Sequence, residues 1–266
     1  MAHDVGRYFG IDFIYFDLML VTIWIALLIV RRRYKEFFFG LFGYGVVQFV
    51  DNVIWYIIKG TRTIDTGGVI GPNVFLTYFS FTYGMIMFSF APLMFNKKIH
   101  VVEKLLWAGL MYGGWLAIGL MSEYITWDDR IINISRDMTN ARTKQIIMAA
   151  VGYAVLLIWK ILSEFLDGFP WNIMKNIPYW YFGILITIGI FIHFSMESTL
   201  MIAGIRSPFD WEVLAVNSLL EFNTGIPILF GLWTAFNWSD YTPKSPAETE
   251  ETDAVLTPAP EKIIIE

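Results

Sequence analysis

Residues 179–204 read YWYFGILITIGIFIHFSMESTLMIAG, an apolar run with a histidine and a glutamate near its end. A helix that crosses a bilayer needs about 20 mostly apolar residues, and this run is long enough. Six further runs of this kind occur along the chain. Together they predict an all-α integral membrane protein, a bundle of seven transmembrane helices. The predicted spans are Ile11–Val30, Phe37–Ile58, Asn73–Phe95, Leu105–Met121, Gln145–Leu162, Tyr179–Gly204 and Val213–Phe236.

The composition supports the same class of protein. Hydrophobic residues make up 56% of the 266 residues and charged residues 16%, whereas about a quarter of a soluble protein is charged. The net charge of −5 leaves no basic excess for binding nucleic acid. The chain contains no cysteine, which excludes disulfides, thiolate metal sites and thiol nucleophiles. We predict no cofactor.

The orientation follows from the basic residues, because cytoplasmic loops carry an excess of Lys and Arg. The cluster Arg31–Lys35 directly follows the first span and gives its side of the bundle the larger number of basic residues. We therefore predict a multi-pass protein of the cell (inner) membrane with its amino terminus outside. Residues 1–241 form the predicted seven-helix domain. Residues 242–266 are rich in Pro, Glu and Thr, which predicts a disordered acidic tail in the cytoplasm.

Ionisable groups inside a span are costly, so they are the first candidates for a functional site. Counted along alternating spans at ~1.5 Å per residue, the carboxylates of the second, sixth and seventh spans fall in the same half of the bundle. Helical spacing also places His193 on the same face as Glu197, and Asn217 on the same face as Glu221. These relations predict one polar, acidic chamber in the outer half. Its candidate residues for substrate binding or proton relay are Asp51, Asn52, His193, Glu197, Asn217 and Glu221.

The charge state of this chamber depends on its positive partners. No Lys or Arg occurs in the interior of the second, sixth or seventh span, so His193 is the only cation that the sequence predicts beside the carboxylates. A buried carboxyl without a positive partner resists ionisation. We therefore expect Asp51 and Glu221 to be protonated, or to share a proton, near neutral pH. The outer loop Ser122–Lys144 could cover the chamber, although a solvated connection is the simpler interpretation.

Three functions remain open, and no catalytic residue is assigned. The first is binding or transport of a small hydrophobic or cationic molecule, which requires no catalytic chemistry from these residues. The second is a membrane-embedded lipid isomerase or hydrolase that transfers protons between a carboxylate and His193. The third is a non-catalytic subunit whose acids pair with basic residues of a membrane partner. We predict no metal, although one histidine among several carboxylates leaves a divalent-metal site open.

Overall fold

A computed structural model describes residues 6–125, 127–128, 130–136 and 141–241. Seven helical segments of these residues are long and apolar enough to cross a membrane, by length and composition, which confirms the prediction of seven long apolar helices. Two of the segments, Tyr34–Ile58 and Trp211–Phe236, each combine shorter helical pieces. The predicted tail, residues 242–266, lies outside the described residues.

The helices are α1 (Ile11–Val30), α2 (Tyr34–Gln48), α3 (Pro72–Phe95), α4 (Val101–Tyr124), α5 (Ala141–Ser163), a short α6 (Trp171–Lys175), α7 (Tyr181–Ile202), α8 (Trp211–Leu220) and α9 (Ile226–Phe236). The largest differences from the predicted bounds are in α4 and α5, which begin four residues before Leu105 and Gln145. The first turn of α4 contains Glu103 and Lys104, whose charges interrupt the apolar pattern. That turn is helical because the His100 side chain accepts a hydrogen bond from the amide of Val102.

The second span changes its hydrogen-bond pattern part-way. After Gln48 the helix continues as a π-helix over Phe49–Ile58, where each amide bonds five residues back. The amide of Lys59 closes this pattern on the carbonyl of Ile54, at 2.9 Å. Such segments are rare and occur frequently at functional sites. This one carries Asp51, one of the predicted site residues.

The seventh span is interrupted in its middle. Helix α8 ends at Leu220, a single 3₁₀ turn covers Phe222–Thr224, and α9 begins at Ile226. Proline cannot donate an amide hydrogen bond, so Pro227 favours a new helix start here. The Asn223 side chain stabilises the break, because its amide donates to the carbonyls of Leu219 and Ile186 at 2.9 and 3.3 Å.

A small antiparallel sheet accompanies the helices and was absent from the all-α prediction. Strands β1 (Arg7–Gly10), β2 (Arg62–Asp65) and β3 (Ile131–Arg136) pair in the order β1-β3-β2. The central strand alternates as a half-buried strand should, since Ile132 and Ile134 are buried and Ile131 is exposed. Part of the loop Ser122–Lys144 is therefore ordered as the middle of this sheet.

The sheet shows that the long helices alternate in direction. It joins the start of α1, the α2–α3 connection and the α4–α5 connection at one end of the bundle, which we call the sheet end. The amide of Tyr8 also bonds to the carbonyl of Ile205 in the α7–α8 connection, at 2.9 Å. At the opposite end, Arg33 in the α1–α2 connection pairs with Glu103 at the start of α4.

Candidate functional site

A cavity of about 430 Å³ lies at the sheet end of the bundle, and we call it the chamber. Side chains from α2 and its π-helical extension, α3, α5, α7 and the break between α8 and α9 form its walls. Ile134 and Ser135 of β3 also line it, so the sheet covers it. Its apolar lining comes mainly from Val46, Val47, Val50, Phe79, Met87, Phe88, Met148, Met196, Phe222 and Ile228.

Glu197 lies at the base of a buried ion-pair cluster. It is fully buried, 2.7 Å from Nη2 of Arg7 in β1 and 2.6 Å from Nη1 of Arg206 in the α7–α8 connection. Both arginines line the chamber, whereas Glu197 does not. Two cations from outside the helices thus balance one carboxylate inside α7. A buried carboxylate requires such partners, because an unpaired charge there costs several kcal/mol, on the order of 3–5.

His193 connects Glu197 with the chamber wall. Its Nε2 lies 3.4 Å from Oε1 of Glu197 and 3.2 Å from Oε2 of Glu221. Glu221 lies at the helix break, and its Oε1 is 3.5 Å from Nη1 of Arg142 in the first turn of α5. Arg142 also donates hydrogen bonds to the side chains of Asn217 and Gln145. Carboxylates, histidine and arginine therefore form one continuous polar path along this wall.

Asp51 and Arg62 form a second ion pair on the wall of the π-helix. Oδ2 of Asp51 lies 3.1 Å from Nη2 of Arg62, and both side chains are less than a tenth exposed. The Arg62 guanidinium also lies over the rings of Trp55 and Phe79, 5.3 and 5.8 Å from their centres. Such contacts favour arginine over lysine, since a guanidinium is weakly hydrated and stacks on aromatic faces.

The structure brings most of the predicted site residues together. Asp51, His193, Asn217 and Glu221 line the chamber, and Glu197 lies directly behind His193. The exception is Asn52, which is buried on the π-helix and is not part of the chamber lining.

The prediction of an acidic chamber needs correction. Four arginines, all outside the predicted spans, line the chamber: Arg7, Arg62, Arg142 and Arg206. The arginines face the carboxylates of Asp51 and Glu221 in the lining and of Glu197 behind it. Four positive and three negative charges leave one net positive charge when His193 is neutral. The premise that only His193 could balance Asp51 and Glu221 is therefore wrong, since each lies beside an arginine.

Arg7 stays charged in this environment. Burial disfavours its charged form, but attraction to Glu197 and to the more distant acids of the cluster outweighs burial, so the pKa of Arg7 lies above its ordinary value. The positive charge of this side chain is consequently a permanent feature of the chamber.

The residues of the chamber do not form a ready-made metal site. Among the residues that the structure describes, no group of three or more His, Asp or Glu side chains has an arrangement suited to a metal ion. The carboxylates instead face arginines. No protein-family model, curated protein or solved structure matches this chain.

Proposed function

We propose that the chain is a multi-pass membrane protein of the cell (inner) membrane, with its amino terminus and sheet end outside. The orientation in this proposal rests on the basic cluster Arg31–Lys35. The outward surface supports the membrane location, because large apolar side chains are exposed along the helices. Phe38 of α2, Leu106 of α4 and Val155 of α5 are 64%, 69% and 58% exposed. Apolar surface on this scale calls for a lipid environment or a large interface.

We further propose that the chamber binds a small molecule that carries an acidic group. The observation that carries this proposal is the convergence of four arginines, from four separate segments, on one cavity with a net positive charge. Arginine is the usual residue for carboxylate and phosphate recognition, because its planar fork presents paired N–H donors. The volume of about 430 Å³ lies within the range of small-molecule sites.

Arg7 has the donor capacity for such a ligand. A guanidinium carries five N–H donors, and Arg7 contacts Glu197 through Nη2. An acidic group in the chamber could therefore bind Arg7 without displacing Glu197. The interrupted seventh span adds support, since many secondary transporters place their substrate sites where a spanning helix is broken.

The test uses the purified chain in nanodiscs of phosphatidylcholine, titrated with dodecyl phosphate, inorganic phosphate and dodecyltrimethylammonium. We expect binding of at least one of the two anions and none of the cation. Arg7→Gln should weaken anion binding about 10- to 150-fold, since a hydrogen bond to a charged group contributes about 1.5–3 kcal/mol. Glu197 keeps Arg206 in this variant, so the fold should survive.

Arg130→Gln is the matched control. Arg130 is also an arginine of the sheet end, but it is exposed, pairs with Asp128 and does not line the chamber. Its replacement should leave anion binding unchanged. Binding of the cation, no binding of either anion, or equal effects of the two substitutions would overturn the proposal. Uptake of the bound anion into sealed vesicles would show transport in addition to binding.

A second candidate is a membrane-embedded enzyme, favoured by the position of His193. Its Nε2 lies 3.2 Å from Glu221 at the chamber wall, where the two groups could exchange a proton with a bound molecule. If so, incubation with a polar lipid extract should give a product detectable by mass spectrometry. The product should be absent with His193→Gln, while anion binding is retained. No product from the unaltered chain would exclude this candidate for the lipids of that extract.

A further inference from the structure

The wall of the chamber is incomplete on one side. Helix α2 and its π-helical extension pack against α3, where glycines bring the backbones together; a Cβ at Gly84 would lie 2.5 Å from the amide nitrogen of Tyr44. Among the described residues, the π-helix packs mainly on α3 and β2, whereas α5 packs with α8 and α9 on the other side of the chamber. A gap therefore separates the π-helix from α5 and α9.

The chamber reaches the surface of the bundle through this gap. Met148 of α5 and Ile228 of α9 both line the chamber, yet they are 57% and 62% exposed. On the other side of the gap, Val47 and Val50 line the chamber and are partly exposed. The side chains at the rim of the gap, which we call its lips, are thus apolar, whereas the charged side chains of the chamber are less exposed than Met148 and Ile228.

Both ends of the gap are closed. Away from the sheet end, Phe39 of α2 packs against Trp233 and Phe236 of α9, with ring centres 5.6 and 6.2 Å apart. At the sheet end, Arg62 of β2 and Ile134 of β3 cover the chamber. The gap therefore faces sideways, toward the region that the exposed apolar side chains assign to lipid.

We propose that the chamber takes a single-chain anionic amphiphile directly from the bilayer, through this lateral gap. The arginines would bind the acidic head group, and the apolar chain would lie between Val50 and Met148 and extend into the lipid. A charged chamber with apolar lips fits such a molecule. A fully water-soluble anion does not partition into lipid and would not enter through a lipid-facing opening. This inference rests on the proposed binding of an acidic group.

Cysteine cross-linking can test the gap cleanly, because the chain has no cysteine of its own. The variant Val50→Cys/Met148→Cys places one thiol on each lip, and bis-maleimides of increasing length would bridge them. The control Ile147→Cys/Val151→Cys places both thiols on α5, four residues apart and exposed, outside the chamber lining. Binding and release rates of dodecyl phosphate are measured in phosphatidylcholine nanodiscs, with each variant before cross-linking as its own reference.

We expect cross-linking of the lips before ligand addition to slow dodecyl phosphate binding at least about tenfold. Cross-linking after loading should slow release by a similar factor. The control pair should change neither rate. Unchanged rates in the cross-linked lip variant, with Arg7-dependent binding intact, would overturn the lateral path and leave the proposed function standing. Preference for inorganic phosphate over dodecyl phosphate would overturn the amphiphile, and no binding of either anion would overturn both proposals.

Discussion

Arg7 and Glu197 are 190 positions apart in the sequence, yet Nη2 of Arg7 donates a hydrogen bond of 2.7 Å to Oε1 of Glu197. The first strand is thereby fixed to the end of α7. Glu197 also lies beside Arg206 and is fully buried. The carboxylate therefore holds two arginines of the chamber in place, and the position of the chamber's positive charge depends on it.

Removing the Glu197 carboxylate should strongly destabilise the chain. Glu197→Ala leaves two arginines buried without it, so we expect the free energy of unfolding to fall by about 3–5 kcal/mol. Adding Arg206→Met should recover part of this loss, because one of the two buried charges is then gone. Reversible unfolding in denaturing detergent measures the free energy of unfolding of the single and the double variant. Glu212→Ala, an exposed acid of the sheet end, should have little effect; an equal loss there would contradict the role of the cluster.

Much of the helical architecture could be predicted because hydropathy reports directly on each spanning run. The convergence of Asp51, His193 and Glu221 could be predicted as well, since helical rise and alternating direction fix the depth of a residue. The interruption near Pro227 has a local cause in the missing amide donor. Each of these inferences depends only on the sequence of one segment and of the segments next to it in the chain.

The arginines could not be placed in this way. Arg7 and Arg62 reach the chamber through a sheet whose strands come from distant parts of the chain, and hydropathy carries no information on that pairing. One signal was present nonetheless. On the sheet end, arginines outnumber lysines, whereas lysines dominate the opposite side. Arginine is the preferred cation for buried ion pairs, so this bias indicates that some of these residues point inward.

The hydrogen bond between Tyr78 and Asp17 gives a second prediction. Asp17 is fully buried in α1, and its Oδ2 accepts a hydrogen bond of 2.8 Å from the Tyr78 hydroxyl in α3. Tyr78→Phe leaves that oxygen without its donor, so we expect a loss of about 1–3 kcal/mol in the free energy of unfolding. Tyr15→Phe removes a hydroxyl from an exposed tyrosine of α1. This control should change the free energy of unfolding by less than about 0.5 kcal/mol. Equal effects would show that the Asp17 contact contributes little.

The orientation in the membrane is a third prediction. The Arg31–Lys35 cluster lies at the end opposite the sheet, so a reporter fused after Glu266 should read as cytoplasmic. A reporter fused before Met1 should read as external, because the spanning helices of the described residues alternate in direction and are seven in number. A fluorescent protein and alkaline phosphatase, fused in turn at each end, measure this. The reverse pattern would invert the proposed orientation and place the chamber on the cytoplasmic side.

The last prediction concerns Gly189, which allows the helix break to pack against α7. A Cβ at this position would lie 2.3 Å from Oδ1 of Asn223, the side chain that stabilises the break and accepts a hydrogen bond from Tyr153. Gly189→Ala should displace Asn223 and lower the free energy of unfolding by about 1–3 kcal/mol. Gly183→Ala, in the same helix with no heavy atom within 4 Å of the new Cβ, should be neutral or stabilising by up to about 1 kcal/mol. Because Phe222, Thr224 and Gly225 of the break line the chamber, Gly189→Ala should also distort the chamber and weaken dodecyl phosphate binding, whereas Gly183→Ala should not. Unchanged stability and binding in Gly189→Ala would show that the position of the break does not depend on this contact.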